Sequence, residues 1–375
     1  MTLYWPKQTT QIHLTGPRLH ALVIGVAEYP HLMGGGGHPA VANFGLQQLT
    51  TTRFTAIRIA QWLSACYHNP HCPLGSIELL LSPAQELARV DSGRVAIELS
   101  TMKNIKRAFK RWWGRCNKQQ DNIALFYFAG HGISTALQHL LAADFGDPAF
   151  PNLWENCIEF GSFRDGMRGN AADTQLFFVD ACREKPIDAL VQRKPTGDSL
   201  CSADIFDRVA ASAAYYAAAD GREAYGPANH VSFFSTAVLE SLDGGGAMNK
   251  GGTWVVDTFS LANAIGQILA SLATAYKQRM TCNSDPDGVP AAIQFPPAPI
   301  VRAVIGCQSS QANVEADISL QRLAVSLRSP PGDPRPWTRH VDPGDWSIQM
   351  TFQSFPSVAR REILMPPVFE LEHPV

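Results

Sequence analysis

Two apolar runs each end in a reactive side chain: Asn122-Ile-Ala-Leu-Phe-Tyr-Phe-Ala-Gly-His131-Gly132 and Thr174-Gln-Leu-Phe-Phe-Val-Asp180-Ala-Cys182-Arg183. A thiol attacks an acyl carbon efficiently only as the thiolate, and a free cysteine, with a pKa of about 8.5, is mostly protonated at neutral pH. An imidazole within reach can take that proton and later return it to a leaving amine. Held side by side, His131 and Cys182 would perform the chemistry of a cysteine protease. Gly130 and Gly132 flank the histidine and Ala181 precedes the cysteine, so the backbone can approach a substrate closely. The amides of Gly132 and Cys182 are the candidate oxyanion donors.

Strands must position these groups. Each run is apolar without alternation, as expected of a parallel strand buried on both faces. Open α/β sheets collect their chemistry at the carboxyl ends of such strands. Residues 19–26 and 75–81 read as two further buried strands, and 139–144 as a short one. Residues 51–66 and 95–116 carry apolar positions at helical spacing, and 153–163 reads as a helical stretch. The alanine-rich 209–220 reads as a strand, with helices at 232–242 and 259–280. This rhythm predicts an α/β fold, a mostly parallel sheet covered by helices on both faces.

Residues 183–203 interrupt the rhythm. They are polar, contain Pro186 and Pro195, and read as an exposed linker. A proline-dense passage at 290–299 marks a boundary. The expected organisation is therefore one domain over 1–297, divided by the linker 183–203 into a large and a small portion. A small β-rich module follows over 300–375, where Trp346-Ser-Ile-Gln-Met-Thr-Phe352 alternates after a Pro343-Gly344 turn.

The composition narrows the function classes. A formal net charge of −2 over 375 residues leaves no electrostatic footprint for nucleic acid. No apolar run approaches the roughly 20 residues that span a bilayer, and the N-terminus lacks signal-peptide features. Eight cysteines lie scattered without paired spacing, which suits reduced thiols in a cytoplasm. The expectation is a cytoplasmic protein that binds neither nucleic acid nor membrane.

Tyr127-Phe-Ala-Gly-His131-Gly132 with Asp180-Ala-Cys182-Arg183 resembles the caspase-like (clan CD, family C14) cysteine peptidases, nearest to bacterial caspase-family and metacaspase-type members. The roughly 50-residue interval from histidine to cysteine agrees with that family's spacing. Gly25 with Tyr29-Pro30, and Ala217-Ala-Ala-Asp220-Gly-Arg-Glu-Ala-Tyr225, follow the family's order. The likeness covers about residues 18 to 295 and leaves the tail aside. It implies a caspase-like hemifold, Cys182 as nucleophile, His131 as general base and acid, and peptide hydrolysis through a thioester. Asp180 and Asp220 stand where basic-specific relatives line the pocket for the residue before the scissile bond, which implies protein or peptide substrates cut after Arg or Lys. The basic pair Arg193-Lys194 falls where family members separate large and small fragments, so self-cleavage in 183–203 is implied too. Prokaryotic relatives act in stress, death or antiviral circuits. Some metacaspase-type relatives depend on calcium; no acidic cluster here matches such a site convincingly, which leaves calcium dependence open, and no other cofactor is expected. The alternative is a catalytically silent caspase-fold scaffold, with residues 300–375 recruiting a regulatory protein.

Other groups have blander readings. Taken singly, His131 and Cys182 would be core residues, and Asp180 could cap a neighbouring amide. Cys66-Tyr-His68-Asn-Pro-His71-Cys72 holds four potential metal ligands, yet zinc sites draw paired ligands from two separated elements, so no metal is expected. Gly34 to Gly37 lacks the Gly-Lys-Ser/Thr of a phosphate cradle. The cations of 102–115 read as a solvated helix face. His230 is a rival base without the strand-end glycines.

Overall fold

The apolar runs become the centre of a seven-stranded sheet. Its strands are β1 (Leu3–Trp5), β2 (Leu19–Val26), β3 (Leu74–Ser82), β4 (Ile123–Gly130), β5 (Thr174–Ala181), β6 (Ala211–Tyr216) and β7 (Asn283–Gly288). The computed structural model describes residues 2–6, 15–88, 94–183, 185, 186, 189, 196–202, 209–219, 221, 222, 224 and 226–375. The spatial order is β1-β3-β2-β4-β5-β6-β7. The five inner strands are parallel, and β1 and β7 close the edges antiparallel. All eight residues of β2 and of β4 are buried. Successive strand side chains point to opposite faces, so both faces of the sheet are covered. The chain moves from β2 outward to β3, then places β4, β5 and β6 on the other side of β2. The strand order reverses there, and a crevice opens beyond the carboxyl ends of β2 and β4.

Three helices serve this sheet. Helix α1 (Thr52–Ala65) buries Thr55, Ala56, Ile59, Ala60, Trp62 and Leu63 and packs against β2, β3 and β4. Helix α2 (Met102–Cys116) buries Ile105, Ala108, Phe109, Trp112 and Cys116, while Lys103, Lys106, Arg107 and Lys110 stay exposed. Trp112 donates its Nε1–H to the His20 carbonyl at 2.9 Å, which satisfies the polar atom of a fully buried ring. Helix α3 (Phe160–Met167) turns Phe160 and Phe163 into the core beside Phe126 and Phe177. Burying each such ring contributes about 1.5–3 kcal/mol.

Local structure differs from expectation in three places. The helix expected over 95–116 starts only at Met102; Arg94–Ala96 is instead a short strand paired with Glu86–Ala88. Val95 and Ile97 are buried and Arg94 and Ala96 exposed, a period of two that the longer helical pattern concealed. The stretch 153–163 is one 3-10 turn (Leu153–Asn156), a strand (Cys157–Glu159) and the start of α3. That strand completes a small sheet with Gly132–Ser134 and Gln138–Leu141. Nor is the linker 183–203 exposed throughout. Ala189 is fully buried, the Asp198 N–H donates to Cys157 O at 2.9 Å, and the Glu159 N–H donates to Asp198 O at 3.0 Å.

By contacts the chain forms two units: Met1–Thr236 with Met280–Ala291, and Ala237–Arg279 with Ala292–Val375. The line therefore does not fall at 297–300 alone, because a stretch before the proline-dense passage joins the tail. Helix α4 (Phe233–Glu240) runs across the division; α5 (Thr258–Ala275) and α6 (Ser310–Glu315) belong to the second unit. Asp257 caps α5, accepting from the Phe259 and Ser260 amides at 3.0 and 2.8 Å. By length and composition alone, at a mean hydropathy of 1.2, α5 could cross a membrane. Its stripe of Leu261, Ala264, Ile265, Ile268, Leu269 and Leu272 is buried within the protein. The second unit also contains a three-stranded sheet centred on Val301–Cys307 and a four-stranded sheet containing Gly344–Thr351. Trp346, Ile348 and Met350 alternate into its core with Val301, Ile305, Ile318 and Leu320.

Candidate active site

Strand register brings the two reactive residues together. β4 and β5 pair in parallel with Asp180 opposite Ala129 and Ala181 opposite Gly130. His131 and Cys182 are the next residues on the two strands, and both line a cavity of about 160 Å³ with Asp180, Gly130, Thr51 and Ser232. The approach there is close. A Cβ on Gly132 would lie 2.3 Å from the Cys182 carbonyl oxygen and 3.1 Å from the Ala181 Cβ, so that position admits only glycine.

His131 is held at three atoms. Its backbone N–H donates to Tyr29 Oη at 2.8 Å, and its carbonyl accepts from the Leu141 N–H at 3.0 Å. Its Nε2 lies 2.6 Å from the carbonyl oxygen of Gln47, in the loop before α1. A carbonyl can only accept, so Nε2 carries the proton and Nδ1 of the neutral ring keeps its lone pair. The Tyr29 ring packs at 4.9 Å from the imidazole. Burial lowers the pKa of His131 below its ordinary value, and the Gln47 hydrogen bond works in the opposite direction. The imidazole is thus a base in its resting form.

Cys182 is partly exposed, and its Sγ accepts from the Ala224 N–H at 3.3 Å. The Arg183 N–H donates to Arg222 O at 2.9 Å, and the Gly221 N–H to Arg183 O at 2.8 Å, which draws the segment after β6 alongside the nucleophile. Asp180 is buried. Its Oδ2 accepts from Tyr127 Oη at 3.0 Å, from Ser235 Oγ at 2.9 Å and, at closer range, from Ser232 Oγ. All three bonds converge on one carboxyl oxygen, leaving Oδ1 without a hydrogen bond among the described residues. Burial raises the pKa of Asp180 above that of a free aspartate, against the opposing pull of the Ser232, Ser235 and Tyr127 hydroxyls.

Of the residues singled out by sequence, the structure brings His131, Gly132, Asp180 and Cys182 to one rim. Asp220, Arg193 and Lys194 lie outside the described residues. His230 is exposed and does not border this cavity. Cys66 is exposed, whereas burial pushes the Cys72 thiol up to about 12. Among the described residues no three His, Cys, Asp or Glu side chains gather as a metal site. Sequence reasoning missed Gln47, Ala224, Ser232, Ser235 and the hydroxyl roles of Tyr29 and Tyr127. Gln47 and Ala224 act through backbone atoms and leave no trace in residue type. A tyrosine inside the apolar β4 run was a usable signal, because a buried hydroxyl needs a partner.

A doubly covered parallel sheet, with a histidine and a cysteine at neighbouring strand ends beside the point where strand order reverses, defines the class: an α/β cysteine-peptidase fold with additional sheets in its second unit. The chain matches the caspase domain family, Peptidase C14, over residues 18–287, and it belongs to that family. It is 27% identical over 214 residues to "Uncharacterized protein y4kE" of Sinorhizobium fredii (strain NBRC 101917 / NGR234). That alignment covers 56% of this chain and 61% of the relative, so the chain spans about three-fifths of the length of the curated relative it matches. Caspase-1 from Spodoptera frugiperda is a similar solved structure, with 12% identity and a TM-score of 0.44, covering 76% of this chain and 94% of that one.

Proposed function

We propose that the protein is an active cysteine endopeptidase that cleaves protein or peptide substrates after Arg or Lys, with Cys182 as nucleophile and His131 as general base and acid. The observation that carries this is the Nε2–Gln47 hydrogen bond, which leaves the lone pair of His131 on Nδ1 in the cavity that Cys182 also lines. The Cys182 proton passes to Nδ1, and Sγ attacks the scissile carbonyl carbon. The amides of Gly132 and Cys182 receive the developing oxyanion. As the tetrahedral adduct collapses, the C–N bond breaks and the imidazolium protonates the leaving amine. A thioester remains on Cys182. Water, deprotonated by the same imidazole, then hydrolyses it to a carboxylic acid and regenerates the thiol.

The basic preference is supported by Asp180, whose Oδ1 has no hydrogen-bond partner among the described residues, in a cavity sized for one side chain. A guanidinium or ammonium there would be attracted to the carboxylate and would favour its ionised form. Asp220 completes the pocket in this reading. Self-cleavage at Arg193 or Lys194, a cytoplasmic setting, a regulatory partner for residues 300–375 and a place in bacterial stress, death or antiviral defence belong to the same proposal. The chemistry needs no cofactor.

The test is a fluorogenic peptide panel varying the residue before the cleaved bond. The intact protein should cut the Arg and Lys peptides and leave the Asp peptide. Cys182→Ala should abolish cleavage, and Asp180→Asn should lower kcat/KM for Arg peptides by about a hundredfold, the loss of a paired buried charge. Cleavage after Asp, or equal activity in Cys182→Ala, would overturn the assignment.

A further inference from the structure

Gln47 presents the carbonyl that fixes the His131 tautomer, yet it is an exposed residue in the loop between β2 and α1. Main-chain bonds anchor that loop on either side of it: the Met33 N–H donates to Leu46 O at 3.2 Å, and the Leu49 N–H to Ala27 O at 2.9 Å. Between those anchors lies Gln48, whose side chain bonds the backbone of Tyr29 twice. Its Oε1 accepts from the Tyr29 N–H at 2.7 Å, and its Nε2 donates to Tyr29 O at 3.0 Å. The same Nε2 donates to Met33 O, also at 3.0 Å. Both protons of the amide nitrogen and its oxygen are thereby engaged, all by the main chain of this one loop.

The residues that this amide grips also hold the histidine. Tyr29 is fully buried; its Oη accepts from the His131 backbone N–H at 2.8 Å, and its ring packs against the imidazole. One side chain therefore ties together both supports of His131, Tyr29 through its main chain and Gln47 as its neighbour in the chain. A staple serving the loop alone could join any two of its residues; this one joins those two. Misplacing a reacting group by about 1 Å can cost roughly a hundredfold in rate. A main-chain oxygen on a loop holds its place only as well as its own supports do.

We propose that Gln48 is a positioning residue for the peptidase reaction: its amide keeps the Gln47 carbonyl on Nε2 and the Tyr29 hydroxyl on the His131 amide, so the lone pair of the neutral imidazole stays on Nδ1. The role rests on the peptidase reading, in which His131 is the general base, but the tautomer is readable without turnover. Two variants of the intact protein test it. Gln48→Met keeps the length of the side chain and removes all three bonds; Gln48→Glu keeps the shape and the acceptor but, ionised, donates nothing. In both, kcat for an Arg peptide should fall about ten- to a hundredfold with KM held within about twofold, at a temperature where circular dichroism shows the variants fully folded. Nitrogen-15 NMR of histidine-labelled protein at about pH 8, where an imidazole is neutral, reads the tautomer directly. The His131 signals, identified by their loss in His131→Gln, should be well separated in the wild type and drawn together in Gln48→Met. Wild-type kcat with separated ring nitrogens in both variants would overturn the proposal, as would a loss confined to KM. A wild type that cleaves nothing, with the tautomer still lost in Gln48→Met, would overturn the peptidase reading and uphold the clamp on His131.

Discussion

His131 is buried, which destabilises its imidazolium and draws its pKa below 6.5, although the Gln47 carbonyl partly restores it. Asp180 is displaced the other way, above 3.8, because burial disfavours its carboxylate. Catalysis on a basic substrate requires the neutral imidazole and the ionised carboxyl, so both groups shut activity off as pH falls. The acid limb of kcat/KM for an Arg peptide should therefore lie above pH 3.8, the ordinary aspartate value that burial carries Asp180 past. A profile flat from pH 7 down to pH 3.8 would contradict that placement. The histidine, the cysteine and Asp180 were legible because residue type and strand-end position are local facts. Their supports were not. Gln47 contributes a main-chain oxygen, Ala224 a main-chain amide, and Ser232 and Ser235 reach Asp180 across more than fifty residues of chain.

Elements that bury both faces announced themselves, and those that do not stayed hidden. β2, β4 and β5 are continuous apolar runs, whereas β7, Asn283-Ser-Asp-Pro-Asp-Gly288, carries no hydrophobic signal at all. Among the described residues it is an edge strand paired only with β6, and Arg164 and Arg168 meet its Asp285 and Asp287. Proline and charge are what an exposed edge tolerates. The junction of β2 and α1 is at the opposite extreme. A Cβ on Gly25 would stand 2.6 Å from the Ala56 Cβ and 3.1 Å from the Thr52 carbonyl oxygen, and backbone cannot yield as a flexible side chain does. Gly25→Ala should destabilise the protein by about 1–3 kcal/mol, the usual cost of overpacking a tight contact. It should also raise KM, because Thr51 and Thr52 at the start of α1 line the cavity. Urea denaturation with a fluorogenic assay measures both; an unchanged midpoint would mean that α1 rides on β2 with slack.

At the scale of the whole chain, composition suggested a tail that begins after the prolines, and the family match also stops before it, at residue 287. The contacts of the second unit show how residues before the prolines join the tail. The Ile300 N–H donates to Gly244 O at 3.2 Å, α5 packs against Val368–His373, and Arg302 meets both oxygens of Glu240 at 2.9 and 3.0 Å. Burial would raise the pKa of Glu240, but His340 and Arg302 together hold its carboxyl below the usual range. The sign is that of a depressed acid: the pair's contribution is fully present above the unfolded pKa and disappears as pH falls through the lower folded value. Cutting the chain after Pro299 would remove Arg302 and His340 while leaving Glu240 behind, and it would strip the apolar stripe of α5 of the strand it packs on. The fragment 1–299 should therefore be recovered largely insoluble. In the intact chain, Arg302→Ala should cost less than the ~3–5 kcal/mol of a stranded buried charge, because His340 remains beside the Glu240 carboxylate. A soluble 1–299 fragment melting at the temperature of the full chain would show that residues 237–279 stand without the tail.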